Sequence, residues 1–170
     1  MTDAEWAEVR AAMPVPAWLL TRGGRPEAFC HRVMLDDVRY LVDNGVKWTA
    51  LPVDFPHWRA VYDFFRRWRT YDYARELYER LRRRAREQKG RNAEPSAGII
   101  DSQSVDARDG RKRHTLTDSD GLLLEVTVTT ADVHDSKAAP ALLETLLAAV
   151  VSATVLADGL KGSWTSRANC

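Results

Sequence analysis

Two aspartates that end short apolar runs are the residues of this chain with the clearest chemical potential. Asp101 follows the pair at 99–100, and Asp158 follows the run at 153–157. Apolar runs of this length, bounded by proline or glycine, are typical of buried strands. If these two strands are parallel neighbours joined by a right-handed crossover, both carboxylates emerge at one edge of a sheet.

Two neighbouring carboxylates are what a hard divalent cation such as Mg²⁺ prefers as ligands. In a two-metal site the ions lie about 3.5–4 Å apart and hold the attacking and leaving oxygens of a phosphoryl transfer. The pattern also allows each aspartate to be an ordinary turn former. Four other aspartates compete for the same role, namely Asp118, Asp120, Asp132 and Asp135.

The C-terminal half predicts a sheet with one helix. Strands are expected at about 97–105, 111–117 and 122–130, with a hairpin at 118–121. Alternation places Asp101 and Gln103 on one face of the first strand. The third strand should likewise point Leu124, Val126 and Val128 to one side. A helix at 137–151 and a last strand at 153–158 complete the prediction.

The N-terminal half predicts four helices. The first is capped by Thr2 or Asp3, and the second runs roughly from Glu27 to Asn44 and stops at Gly45. Asp54 is the expected N-cap of the third helix, with Pro56 in its first turn. The fourth runs roughly from Tyr73 to Gln88, and its expected inward residues are Ala74, Leu77, Leu81 and Ala85.

The third helix combines an apolar side with a basic side. Trp58, Val61, Phe65 and Trp68 fall at helical spacing on one face, whereas Arg59, Arg66 and Arg69 lie off that face and Arg67 lies at its edge. A recognition helix in the major groove of DNA needs this arrangement, because arginine contacts phosphates and pairs with guanine. An amphipathic helix with a solvated arginine face would show the same pattern.

Positive charge is concentrated in the middle of the chain. Residues 59–91 contain 12 basic and 5 acidic side chains, and Arg82 and Arg83 belong to this block. The charge of the chain changes sign near Pro95, from +4 over residues 1–94 to −3 over residues 95–170. The basic block predicts binding to a polyanion that weakens steeply with salt, and the change of sign indicates a domain boundary.

Composition excludes several other classes of protein. The 170 residues are 45% hydrophobic, which is enough for a folded core of one or two small domains. The chain has two cysteines and no CxxC pair, so neither a disulfide-rich scaffold nor a cysteine zinc site is expected. We expect a cytoplasmic protein, because no apolar run has membrane length and the acidic N-terminus is not a signal peptide.

Short motifs spread along the chain resemble those of DDE-type insertion-sequence transposases, in particular the insertion-sequence-five group. The matching segments follow the order of that family from residue 2 to about residue 159. They are 2–6 (TDAEW), 23–26 (GGRP), 45–52 (GVKWTALP), 54–56 (DFP), 61–68 (VYDFFRRW), 99–105 (IIDSQSV), 110–114 (GRKRH), 120–123 (DGLL) and 157–159 (ADG).

The resemblance implies a mixed α/β (α+β) fold. A helix-turn-helix-like DNA-binding domain at 1–90 and a linker at 91–96 would precede an incomplete ribonuclease-H-like mixed sheet at 97–159. An irregular tail would follow at 160–170. The resemblance implies that Asp101 and Asp158 are catalytic aspartates that bind Mg²⁺ or Mn²⁺. It also implies that four residues lie close to DNA near the metal, namely Arg111, Lys112, Arg113 and His114.

The implied activity is Mg²⁺-dependent cleavage and transfer of DNA strands at the terminal inverted repeats of a mobile element, near the nucleoid. The family's third carboxylate is a Glu well beyond the second Asp, and residues 159–170 contain no acidic side chain. We therefore expect a truncated, catalytically impaired transposase. An alternative is a non-catalytic DNA-binding module that competes with the full-length transposase. A further copy of this chain, or that longer protein, is an expected partner.

Overall fold

The chain folds into a helical region followed by a sheet. The computed structural model describes residues 1–16, 18, 28–105, 110–134, 137–140 and 142–144. These residues fall into two compact units, one that contains Met1–Lys89 and one that starts at Gly90. The predicted mixed α+β fold is thereby confirmed, and the sheet is consistent with an incomplete ribonuclease-H-like domain. Within the described ranges, no helix has the length and apolarity needed to cross a membrane.

The first unit contains four α-helices in the part of the chain that the structure describes. The fourth helix has the predicted bounds. The helices are α1 (Asp3–Ala12), α2 (His31–Asn44), α3 (Trp58–Thr70) and α4 (Tyr73–Gln88), with a short 3₁₀ helix at Trp48–Ala50 between α2 and α3.

Local capping signals explain two of these boundaries. The Thr2 hydroxyl accepts a hydrogen bond from the backbone N–H of Glu5 at 3.2 Å. The backbone N–H of Thr2 donates in return to the Glu5 carboxylate at 2.7 Å. This capping box starts α1 as predicted. Gly45 adopts a left-handed φ of 61° and closes α2, also as predicted.

Two predicted helix starts are wrong. Asp54 does not cap α3, because residues 53–56 form a turn and the helix begins after His57. The ring Nδ1 of His57 accepts the N–H of Arg59 at 3.3 Å and so replaces the expected carboxylate cap. Helix α2 begins at His31 rather than near Glu27, a residue that lies outside the described ranges.

Aromatic side chains form the centre of the helical unit. Phe64 and Trp68 of α3 are buried, and their ring centroids lie 5.0 Å apart. Trp68 also meets Tyr73 at the start of α4, at 5.4 Å. The other buried members of this cluster are Ala12, Met34, Val61 and Leu77. The predicted inward face of α3 is thus largely confirmed, but Phe64 lies at its centre and Phe65 only at its side.

The second unit contains a three-stranded antiparallel sheet in the order β1-β2-β3. The strands are β1 (Gly98–Val105), β2 (Arg111–Asp118) and β3 (Leu123–Thr130). The hairpin between β2 and β3 forms as predicted. The carboxylate of Asp118 accepts the N–H groups of Asp120 at 2.8 Å and Leu122 at 2.9 Å. Gly121 takes the positive φ of 78° that this turn requires.

A β-bulge changes which side chains of β3 are buried. The pairing register shifts between Leu116 and Thr117, so that Thr117 faces Leu123 while Leu116 faces Glu125. Leu124 is therefore buried, whereas Val126 and Val128 are 42% and 55% exposed. The prediction that these three side chains share one face is wrong, because a bulge reverses the alternation of a strand.

Strand β1 is less buried than its sequence predicts. Ile99 is 57% exposed and Ile100 is 40% exposed. Asp101 is the fourth of eight strand residues, so it does not lie at the end of the strand. Among the described residues β1 pairs only with β2, which makes it an edge strand there. The predicted last strand and Asp158 lie outside the described residues.

Helix α2 carries a buried carboxylate, that of Asp37. Asp37 has no measurable exposure, and neither of its oxygens finds a hydrogen-bond partner among the described residues. Burial, with a smaller contribution from the neighbouring charge of Asp36, raises the pKa of Asp37 from 3.8 to about 6. The folded protein therefore holds this proton more tightly than the unfolded chain does.

We expect the free energy of unfolding to fall as the pH rises from 3.8 through about 6, since the ionised Asp37 is stabilised only in the unfolded chain. Asp37→Asn should remove this dependence and stabilise the protein by about 1–3 kcal/mol above neutral pH. Urea unfolding over a pH series measures the effect. Asp43→Asn on the same helix is the control, because Asp43 is exposed. An unchanged pH profile in Asp37→Asn would contradict the assignment.

Candidate nucleic-acid interface and metal site

The outer surface of α3 carries exposed arginines. Arg59, Arg66 and Arg69 are all exposed, as the spacing predicts. Val61, Phe64 and Trp68 anchor the opposite side of the same helix in the core. One acidic neighbour, Asp63, lies 3.7 Å from Arg66, and both of these side chains are at least half exposed. Such a surface pair is weak, so the face remains positively charged.

Arg67 differs from the three arginines of this face. It is half-buried, and its guanidinium carbon lies 5.2 Å from the centre of the Phe64 ring. This cation–π contact directs the charge toward the side of the helix rather than outward. Arg67 therefore lies at the border of the exposed arginine face, as its spacing in the sequence predicts.

Helix α4 contributes fewer outward charges than predicted. Arg83 is exposed, but Arg82 is 5% exposed and donates two hydrogen bonds to Glu79, at 2.6 and 3.1 Å. The expected Glu76–Arg80 pair is present at 2.6 Å. Glu79 pairs with Arg82 at 2.6 Å, because Arg82 lies on the buried side of α4. Arg82 is accordingly a packing residue and not a surface contact in this structure.

A cavity of about 320 Å³ opens on the same helix. Its described lining residues are Tyr62, Phe65, Arg66, Arg69 and Thr70. They follow the spacing i, i+3, i+4, i+7 and i+8, which is one stripe of a helix. Thr70 was not predicted as a site residue, and Phe65 was predicted to lie in the core, although the helical spacing of this stripe is visible in the sequence.

Asp101 lies on the exposed face of the sheet beside two polar side chains. The Gln103 amide donates to the Asp101 carboxylate at 3.2 Å, and Arg113 donates to the Gln103 carbonyl at 2.8 Å. The strand register explains these two hydrogen bonds, because Gln103 of β1 is paired with Arg113 of β2. An exposed carboxylate with room for another ligand suits Mg²⁺ or Mn²⁺ as a single oxygen donor. Among the described residues, no group of three or more potential ligands comes together.

The four basic residues expected beside the metal are divided between two faces of β2. Arg111 and Arg113 are exposed, and Arg113 belongs to the Asp101 face. Lys112 is half-buried on the opposite face. His114, also on that opposite face, has no exposed surface.

His114 connects the three strands on the buried side. Its Nδ1 lies 2.8 Å from the Ser102 hydroxyl, and its Nε2 lies 2.8 Å from the Thr129 hydroxyl. The prediction that His114 lies close to DNA is not supported by this position. Alternation explains the outcome, since a residue next to Arg113 must point to the other face of the strand.

The competing aspartates have other roles where the structure describes them. Asp118 is buried in the hairpin, and Asp120 pairs with Arg91 at 3.2 Å. A hydrogen bond from the Thr130 side chain holds the pKa of Asp132 below its usual value. Asp135 and Asp158 lie outside the described residues. That Asp158 lies beside Asp101 therefore stays a prediction.

Comparison with known proteins matches both units to transposases. Residues 1–78 match a family of inferred transposases of the IS4/5 family, and residues 92–161 match the transposase DDE domain family. Neither the curated proteins nor the solved structures gave a significant match.

Both family matches are to transposases, one of the IS4/5 family and one of the DDE type. By these two matches, the chain resembles insertion-sequence transposases across both of its units, and the resemblance inferred from the sequence is confirmed.

We expect His114→Ala to lower the free energy of unfolding by about 1–3 kcal/mol, because Ser102 and Thr129 would lose their buried partner. Arg113→Ala is the control, since this exposed residue should change stability by less than about 0.5 kcal/mol. Urea denaturation measures both. A variant of His114 that keeps its stability but loses affinity for DNA would instead restore the residue to the interface.

Proposed function

We propose that this chain binds the terminal inverted repeats of an insertion sequence as a member of its transposition machinery. The observation that carries the proposal is the exposed row of Arg59, Arg66 and Arg69 on a helix whose other side is fixed in the core. A helix held in this way fixes the positions from which these three side chains extend. Exposed guanidinium groups contact phosphates and pair with guanine in the major groove.

Further basic residues of the helical unit would add to this interface. Arg83 on α4 and Arg67 at the border of α3 add positive charge, within a segment that carries 12 basic and 5 acidic residues over 59–91. Long-range attraction of this kind steers DNA toward the protein and weakens with salt. Target DNA would be a second ligand of the same chemistry.

The second unit would carry half or more of a metal site. We propose that Asp101 and Asp158 hold Mg²⁺ or Mn²⁺, with Arg111 and Arg113 close to the DNA backbone. The bound ion would supply charge neutralisation at the reacting phosphate. Support comes from the exposed carboxylate of Asp101 and from the free edge of β1 among the described residues, where the predicted strand at 153–158 could pair in parallel.

Catalysis would need more than these two side chains. Transposases of this type use three carboxylates by the resemblance. Two ligands bind a cation less tightly than three and position it less well, and most of phosphoryl-transfer catalysis is positioning and charge neutralisation. We place this activity in the cytoplasm, at the nucleoid.

A second candidate function is a DNA-binding module that competes with a complete transposase. It is favoured by the compact unit that contains Met1–Lys89, which holds both the aromatic core and the exposed arginines. Such a module would occupy the terminal repeats without cutting them.

We expect Arg59→Ala, Arg66→Ala and Arg69→Ala each to weaken DNA binding. Each should reduce the slope of log affinity against log salt by about 0.9, which is the loss of one phosphate contact. Fluorescence anisotropy with duplex DNA of the element's ends, at several salt concentrations, provides the measurement. Arg80→Ala is the matched control, because Arg80 is already paired with Glu76. Wild-type affinity in the triple variant would show that α3 is not the DNA-binding helix.

We expect Asp101→Asn to reduce the affinity for Mn²⁺ measured by calorimetry, since it removes a charged oxygen ligand. Asp132→Asn is the matched control, an exposed aspartate that follows β3. Equal Mn²⁺ affinity in both variants would remove Asp101 from the metal site.

A further inference from the structure

The cavity on α3 has a composition that duplex binding does not require. Its described lining combines two guanidinium groups, two aromatic rings and one hydroxyl within about 320 Å³. Contact with duplex phosphates needs only the guanidinium groups, so the rings and the hydroxyl beside them are available for another part of a ligand. The volume lies within the range of pockets that hold small organic molecules.

One of the two aromatic rings, that of Tyr62, is accessible from outside. Tyr62 is 42% exposed, and its ring meets Trp48 nearly at right angles, at 5.2 Å between centroids. Trp48 also contacts Phe65 at 5.3 Å. Tyr62 is therefore supported from behind while part of its ring remains open to solvent. A supported, exposed ring is what a stacking platform for an unpaired base requires.

Two arginine side chains lie beside these aromatic rings. Arg69 extends across Phe65, with 6.0 Å between the guanidinium carbon and the ring centre, and Arg66 lies one helical turn before Thr70. Thr70 donates its hydroxyl hydrogen to the Arg66 carbonyl at 2.9 Å, which fixes the orientation of that side chain. Two guanidinium groups next to an aromatic ring suit a ligand with a phosphate adjoining a planar ring.

We propose that this cavity binds one unpaired nucleotide of DNA, with the base on Tyr62 and its phosphate between Arg66 and Arg69. The proposal deepens the proposed function and rests on it, since the same helix would bind the duplex through its arginines. If so, the helical unit would prefer DNA whose ends are frayed or single-stranded. Stacking on a tyrosine is tolerant of base identity, so affinity should depend little on sequence.

The test compares single-stranded and duplex DNA with two variants of Tyr62 in the full chain. Fluorescence anisotropy is measured with an oligothymidylate and with a duplex of the same length. Tyr62→Ala should weaken single-strand binding by about tenfold, the loss expected for one stacked base, and leave duplex binding within about twofold. Tyr62→Phe should restore single-strand binding, because it keeps the ring and removes only the hydroxyl.

Each outcome decides between the two proposals. Equal weakening of both DNAs in Tyr62→Ala, or single-strand binding that is unchanged by it, would overturn the unpaired-nucleotide site while leaving duplex binding intact as a function. Failure of the wild-type chain to bind either DNA would overturn both proposals. A thermal melt checks that each variant is folded, which is expected because Tyr62 is an exposed residue.

Discussion

The packing of Val61, Phe64 and Trp68 into the helical core is the constraint on which the functional surface depends. Burying a large apolar side chain stabilises the folded state by about 1.5–3 kcal/mol, so three on one helix fix its rotation firmly. Once that rotation is set, Arg59, Arg66 and Arg69 must point outward. The core therefore determines where on the surface these arginines begin, independently of the arginines themselves.

The sheet follows an equivalent rule with a different period. The Ser102–His114–Thr129 chain of hydrogen bonds connects all three strands on the buried side. Because successive residues of a strand point to opposite faces, Asp101, Gln103 and Arg113 lie together on the other side of the sheet. The buried polar network therefore helps to hold the register that brings an arginine within two hydrogen bonds of the candidate metal ligand.

Helix types and turns were predictable because their signals are local. A capping threonine with a glutamate three residues later, a glycine after Asn44, and the Asp118–Gly121 hairpin each act within a few residues. Predictions that depended on packing partners were less accurate. Arg82 was expected on the surface and is buried against Glu79, whereas His57 replaced Asp54 as a cap. The bulge in β3 has no sequence signal that we recognised.

The sequence by itself indicated the transposase families, the order of the helices and strands that the structure describes, and candidate residues for DNA and metal binding. Ordered motifs and helical spacing carry that information without knowledge of contacts. Only the tertiary structure decided which of the basic residues are available. Exposure depends on what packs against each side of a helix or strand, and neighbours distant in sequence set it. His114 and Arg113 are adjacent in sequence, but His114 lies in a buried hydrogen-bond network and Arg113 on the exposed face, because only one side of the sheet is covered.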